Sequence, residues 1–279
     1  MLKYFEGTEL FKTQVSKVDK IELQSFCSRL MKDYNMSSKE WTNVKTILKG
    51  MFEYAVDKEL IDKNPMEKVR ITVKFRQIQR KTGKTETFNT EERKELDSYL
   101  DKMYQETEDI VFLAVKLNFY LGLRVGELVT LRVEDRVDLK HLHIQREEVR
   151  DQENNRTYVV EHTKGNKDRF VPLVPKGIVL LNKIMEKSNG NGYLFTRNGE
   201  RITARQIAYV LEKYAERTGH IMKSSHKIRK TVASNLNAEA VPLDEIRELL
   251  GHSDLQTTLA YIYNPLTEEE TYERIKKAL

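Results

Sequence analysis

Apolar residues recur at three- and four-residue spacing through "SSKEWTNVKTILKGMFEYAVDKEL". Trp41, Val44, Leu48, Met51 and Ala55 fall on one face, which predicts a helix started by Ser37 or Ser38. An earlier helix is predicted over "DKIELQSFCSRLMKDY", and Asn64-Pro65 stops this region. The basic stretch that follows, with Gly83 in it, reads as a linker. A second region opens at "FNTEERKEL", where Asn89 and Glu92 have the spacing of a capping box. "EDIVFLAVKLNFYLGL" is apolar on nearly every side, as a central helix is, and is too short for a membrane span. The period then changes. "HLHIQ", "RTYVVEHT" and "DRFVPLV" are short, β-branched and broken by Asn-Asn and Gly-Asn, predicting a small antiparallel sheet.

Helices return in "TARQIAYVLEKYAERTG", with Ile207, Val210, Leu211 and Tyr214 on one face and Gly219 at its end. "PLDEIRELLG" starts with proline and stops with Gly251, and Thr267 with Glu270 caps a terminal helix over 266–279. No fixed-period repeat is present. The expected fold is therefore mainly α with a small antiparallel β-sheet (α+β). Its expected domains are a helical one over 1–70, a basic linker over 71–87 and a mixed one over 88–279.

Composition narrows the setting. The 279 residues include one cysteine, Cys27, which excludes a disulfide framework or a CxxC knuckle and reads as a small buried hydrophobe. No signal-like run or 18-residue apolar stretch occurs, so a soluble cytoplasmic protein without a membrane partner is expected. The net charge of +5 is unevenly spread. Residues 1–87 carry 18 Lys/Arg against 12 Asp/Glu, while 88–279 carry 30 against 31. The excess peaks in "MEKVRITVKFRQIQRKTGK", Met66 to Lys84, with seven basic residues and one acid. That density suits a segment lying along phosphates, and charge alone suits a solvated linker equally well.

Candidate chemistry gathers in four places. In "YLGLRVGEL", Arg124 and Glu127 lie three apart at the end of an apolar helix, an arrangement that an internal ion pair also explains. In "HTKGNKDRFVPL", Lys164 and Lys167 flank Gly165-Asn166, a dipeptide suited to a hairpin turn. In "SSHKIRK", His226 and Arg229 share a helix face and can meet one anion. A second HxxR, His143 with Arg146, lies in the predicted sheet, where its members point to opposite faces. The fourth is "LLGHSDLQTTLAYIY", with His252, Tyr261 and Tyr263. On a helix the two tyrosines stand about 200° apart, at roughly 100° per residue, so one of them is structural.

The ordered set "GLRVGEL", "TKGNKDRFVPL", "HKIR" and "LLGHSDLQTTLAY" resembles the tyrosine recombinase (phage integrase) superfamily, closest to its Xer-type and conjugative-transposon integrases. The resemblance covers the second domain, and "FEYAVDKELIDKNPM" looks like the end of the family's core-binding domain. It implies a SAM-like helical core-binding domain over 1–70 and a catalytic domain over 88–279, forming a C-shaped clamp around DNA. It further implies that Tyr261 is the nucleophile, leaving a 3′-phosphotyrosine and a free 5′-hydroxyl without metal, ATP or other cofactor. Arg124 and Arg229 would hold the phosphate and Lys164 would protonate the leaving oxygen. His226 would accept the tyrosine proton or orient the phosphate, His252 would donate to a phosphate oxygen, and Glu127 would support the set. Tyr263 is left to packing.

DNA contact is expected from Lys45, Lys49, Arg76, Arg80, Lys81, Lys84, Lys167 and Arg205. The implied partners are double-stranded recombination sites, a homo-tetramer on DNA with exchange of the C-terminal helix, and accessory excision or bending factors. Longer relatives carry an arm-binding domain ahead of the core-binding domain, so a shortened form is expected here. The expected function is integration and excision of a mobile element. Relaxation of DNA in the manner of a type IB topoisomerase, and a silent DNA-binding module, stand as alternatives.

Overall fold

Ser37 and Glu40 start the longest helix of the first unit reciprocally. The Ser37 hydroxyl accepts from the Glu40 amide at 3.3 Å and the Glu40 carboxylate accepts from the Ser37 amide at 2.8 Å. The computed structural model describes residues 2–78, 81–151, 153–165, 167–188 and 192–279. The chain divides into two units, Met1–Arg80 and Lys81–Leu279.

In the first unit, α1 (Glu9–Lys12), α2 (Lys20–Asp33) and α3 (Ser38–Asp57) surround a core that includes Leu23, Phe26, Leu30, Trp41, Val44 and Leu48. Cys27 is buried in it, and burial pushes its thiol up to about 12, as expected of an inert packing residue. One predicted core position differs. Met51 is 47% exposed, and Phe52 takes its place on the buried face, because a four-residue step from Leu48 keeps to the helical stripe. Asn64-Pro65 opens a 3-10 turn over Pro65–Lys68, with the Asn64 side chain accepting from the Met66 amide.

Two of the basic residues expected to meet DNA are already engaged. Arg76 donates to Glu40 and to the Asn35 carbonyl, both at 3.0 Å, and Lys49 pairs with Glu53 at 3.2 Å. Lys45, Lys81 and Lys84 are exposed, whereas Arg80 lies outside the described residues.

The second unit begins with α4 (Gly83–Glu86), inside the stretch read as linker, and Glu86, Thr87 and Phe88 are buried. Next come α5 (Thr90–Thr107), opened by the predicted Asn89–Glu92 box, and α6 (Ile110–Leu121), buried on almost every side. α7 (Val125–Val129) leads to strands β1 (His141–Ile144), β2 (Glu147–Arg150), β3 (Thr157–Val160) and β4 (Arg169–Pro172). α8 (Pro175–Glu186) precedes a small hairpin of β5 (Thr196–Arg197) and β6 (Glu200–Arg201). Helices α9 (Ala204–Thr218), α10 (Ser225–Ala238), α11 (Leu243–Leu250), α12 (Leu255–Leu259) and α13 (Glu268–Ala278) complete the unit.

The sheet is finer-grained than expected. β1 pairs with β4 and β2 with β3, both antiparallel, with Leu142 opposite Val171 and Val149 opposite Tyr158. Among the described residues, the segment carrying Lys164 and Lys167 therefore joins two ladders instead of closing a hairpin. Of its Gly-Asn pair, Asn166 lies outside the described residues. The α9 face is buried as predicted at Ile207, Val210, Leu211 and Tyr214, and the unit's main core runs from Phe88 to Ile228. Among the described residues, no helix is long and apolar enough to cross a membrane.

Candidate active site

The site starts where α6 ends. Gly122 closes that helix in the left-handed conformation, at φ +63, and the buried Asn118 side chain accepts from the Leu123 amide at 2.8 Å and donates to its carbonyl at 3.2 Å. This pins the chain at Arg124. The Glu127 carboxylate reaches back to accept from the Arg124 amide at 2.9 Å and from its Nη1 at 2.8 Å. The ion pair expected of these neighbours is present, but it is part of something larger.

Glu127 is fully buried and also takes both terminal nitrogens of Arg169, at 3.0 and 2.7 Å, while Arg229 Nη1 stands 4.0 Å away. Burial alone would raise this carboxyl. The Arg169 hydrogen bonds and the charges of Arg169, Arg229 and Arg124 overrule it and hold Glu127 at about 2. One carboxylate thus collects three guanidiniums.

The same three arginines meet the end of α11. Its last carbonyls have no partner within the helix and carry the negative end of its dipole. The Leu249 carbonyl accepts from Arg169 Nε at 2.8 Å, the Leu250 carbonyl from Arg229 Nη2, and the Gly251 carbonyl from Arg124 Nη2 at 3.0 Å. Arg229 also donates to the Gly122 carbonyl at 2.8 Å. Gly251 turns the chain at φ +63, and a side chain there would press on Arg169. His252 follows directly, so its placement rests on this lattice.

His252 is 6% exposed. Its Nδ1 lies 3.0 Å from the Thr258 hydroxyl, and its Nε2, like Arg229 Nε, is buried without a partner among the described residues. Burial, reinforced by Arg229, Arg124 and Arg169, holds His252 near 3 and keeps the ring neutral. Tyr261 sits beside it. Ring centroids are 4.4 Å apart for His252 and Tyr261 and 4.9 Å for His226 and Tyr261, both edge-on, and the Arg229 guanidinium is 5.9 Å from the tyrosine ring. Desolvation, with Lys230, Arg229 and Lys227 nearby, lowers His226 to about 4.

The structure brings together Arg124, Glu127, Arg229, His226, His252 and Tyr261. Lys164 lies in an exposed turn, with its charge felt by the half-buried Glu147, whose carboxyl is raised by burial and by Glu127. Lys167 is exposed, and Arg205 is exposed with Glu212 at 3.8 Å. His143 and Arg146 do not converge, but not as two faces of one strand, because Arg146 lies between β1 and β2. His143 stacks on Phe170, whereas Arg146 is buried against Asp135 and Glu161.

The helical placement of the two tyrosines is corrected. α12 ends at Leu259, and the chain then turns away, because the Ser234 hydroxyl accepts from the Tyr263 amide at 3.0 Å and donates to the Tyr261 carbonyl at 3.3 Å. The two rings are not 200° apart on one axis. Instead Lys230 Nζ lies 5.8 Å from the Tyr261 centroid and 5.0 Å from that of Tyr263. Reading the residues alone missed Arg169 and Lys230. Arg169 stands inside "TKGNKDRFVPL", and its signal was an arginine on a short strand whose neighbour, Val171, faces the core.

Residues 86–269, well over half of the chain, match the family model described as "Phage integrase family". The chain belongs to the phage integrase family. It is 28% identical to the tyrosine recombinase XerC-like protein of Caldanaerobacter subterraneus subsp. tengcongensis, over 96% of this chain and 73% of that one. It is 30% identical to the tyrosine recombinase XerC of Thermodesulfovibrio yellowstonii, over 90% of this chain and 80% of the other. In fold it is similar to the Tn1549 transposon integrase solved with circular intermediate DNA, at TM-score 0.73 and 19% identity, covering 99% of this chain and 90% of that one. This member of the phage integrase family is a site-specific tyrosine recombinase, a DNA-cleaving and DNA-rejoining enzyme.

Proposed function

We propose that Tyr261 is the nucleophile and that the arginine lattice presents a scissile DNA phosphate to it. The observation that carries this reading is a pair of buried nitrogens, Arg229 Nε and His252 Nε2, without partners among the described residues and beside the Tyr261 ring. A buried polar group left unpaired is costly, and an anion's oxygens would satisfy both. In the tautomer that carries its proton on Nε2, His252 accepts from the Thr258 hydroxyl at Nδ1 and donates to a phosphate oxygen.

In the forward step the Tyr261 oxygen bonds to phosphorus and the bond to the 5′-oxygen breaks. Neutral His226 accepts the tyrosine proton, and the departing oxygen takes a proton from Lys164. Negative charge on the nonbridging oxygens is stabilised by Arg124 and Arg229, whose geometry is already fixed by Glu127 and the Gly122, Leu250 and Gly251 carbonyls. The ester keeps the energy of the broken bond, so rejoining by a 5′-hydroxyl needs no nucleotide. The Tyr261 ring lies 5.9 Å from its own chain's Arg229 guanidinium, which supports cleavage in cis.

Met1–Arg80 serves as the core-binding domain, with exposed basic residues such as Lys45 and, in the following segment, Lys81 and Lys84 meeting phosphates. The enzyme works as a tetramer on DNA in the cytoplasm, integrating and excising a mobile element with accessory excision or bending factors. Helix α13 supports the tetramer: Tyr272 and Ile275 are 63% and 52% exposed, an apolar face available to a neighbouring protomer.

The test is incubation with a nicked suicide site, followed by a search for a covalent adduct resistant to SDS. Tyr261→Phe should abolish the adduct and Tyr263→Phe should retain it. An adduct formed by the Tyr261 variant would overturn the assignment.

A further inference from the structure

The first segment of the catalytic unit, Gly83 to Phe88, is tied to the tyrosine segment by chain-distant contacts. Gly83 packs against Asn264 so closely that its carbonyl oxygen occupies the place a Cβ would take. Glu86, 3% exposed, accepts from both Lys227 and Lys230, whose charges and hydrogen bonds overcome the effect of burial and hold its carboxyl at about 2. The Phe88 amide donates to the Thr231 hydroxyl at 2.8 Å, which fixes the far end of the strap.

Lys230 is the link. It is 5% exposed, anchored by Glu86, and its ammonium lies within 6 Å of the Tyr261 and Tyr263 rings. A cation at that distance attracts the ring electrostatically, more strongly where water is excluded. A buried ammonium keeps its place only while its carboxylate partner stays. We propose that Lys230, held by Glu86, is a positioning residue for Tyr261, and that the Gly83–Phe88 strap makes delivery of the nucleophile depend on the segment leading into the catalytic unit.

The strap region also carries Lys81 and Lys84, both exposed, at the end of the basic stretch. Phosphate contact at these lysines would hold the strap, and through Glu86 and Lys230 it would hold the tyrosine. DNA engagement and nucleophile placement are thereby coupled within one unit. The inference rests on Tyr261 being the nucleophile.

The experiment measures the rate of covalent adduct formation at saturating suicide DNA, alongside DNA affinity and thermal melting. The variants are Lys230→Met, Lys230→Arg, Glu86→Gln and the double Glu86→Gln/Lys230→Met. Lys230→Met leaves Glu86 paired with Lys227, so the fold has support. A misplaced nucleophile costs up to ~100-fold, so Lys230→Met should cleave ~10- to 100-fold more slowly with DNA affinity unchanged. Lys230→Arg should recover most of the rate, and the double variant should be no slower than the slower single one, as for residues acting through one contact.

Wild-type cleavage by Lys230→Met would overturn the proposal. So would a loss that follows melting or DNA affinity and that Lys230→Arg does not recover. Tyr261→Phe is run in parallel, and an adduct from it removes the nucleophile reading whatever Lys230 does.

Discussion

Arg169 grips Glu127 with both terminal nitrogens, at 3.0 and 2.7 Å, and spends its Nε on the Leu249 carbonyl at 2.8 Å. It therefore ties strand β4 to the carboxylate that gathers Arg124 and Arg229 and to the helix end that precedes His252. It also anchors the chain five residues after Lys164. Arg169→Lys keeps the charge but offers no planar fork, so it cannot meet all three acceptors. The expected outcome is ~10-fold or greater loss in adduct rate and about 1–3 kcal/mol lower stability, with DNA affinity little changed. Wild-type cleavage would show that Glu127 and the α11 carbonyls hold the other arginines unaided.

Acid stability should report Glu127 directly. Its folded carboxyl is held at about 2 against an ordinary 4.5, so the folded state favours the charged form. That stabilisation is complete above about 4.5 and is lost as pH falls through about 2, a contribution on the order of 3 kcal/mol. Melting between pH 6 and pH 2.5 should show this loss, and Glu127→Gln, less stable at neutral pH, should show a shallower one. An unchanged acid limb in the variant would remove Glu127 as its source.

How much of this was legible depended on how far each contact reaches. Asn89 with Glu92 is a local pair, and capping chemistry alone places that helix start, whereas the sequence narrows the earlier one to Ser37 or Ser38 and the equally local Ser37–Glu40 box decides it. The site positions Arg124, His226, Arg229, His252 and Tyr261 stood out through motif order, and they do converge. Arg169 and Glu86 did not stand out, because their partners Glu127 and Lys230 lie 42 and 144 residues away and no local periodicity encodes such pairings. The tyrosines were misplaced for a similar reason: Ser234, 27 and 29 residues from its partners, draws the chain off the helical path.

The histidines should leave a signature at milder pH. His252 is held at about 3 and His226 at about 4, below the ordinary 6.5, so the unfolded chain binds protons that the folded one refuses. Stability must then rise with pH between about 4 and 6.5. Replacing His252 with Gln should flatten that slope in denaturant unfolding measured at several pH values. A slope identical to wild type would mean that His252 is not kept neutral by the fold.

Lys164 can be separated from the arginines by changing the leaving group. Lys164→Ala should slow cleavage of ordinary DNA by ~100- to 10,000-fold, the usual range for a lost general acid. A substrate with sulfur in place of the bridging 5′-oxygen leaves as a thiolate and needs no proton, so the variant should recover on it, whereas Arg124→Ala should not. Failure of Lys164→Ala to recover would place this lysine in binding instead of proton transfer.

Among the described residues, helix α13 is bonded to its own unit through Arg274 and Thr271. Arg274 donates to the Ala238 carbonyl at 2.6 Å and pairs with Glu239 at 3.2 Å, and Asn264 donates to Thr271 at 2.8 Å, while Tyr272 and Ile275 face outward. Replacing these two exposed residues with serine should change monomer stability by less than about 0.5 kcal/mol, as for surface positions. If they dock on a neighbouring protomer, the same double variant should lose stable assembly on DNA while still binding a single site. Sedimentation of the DNA complex distinguishes the cases, and assembly equal to wild type would confine α13 to its own chain.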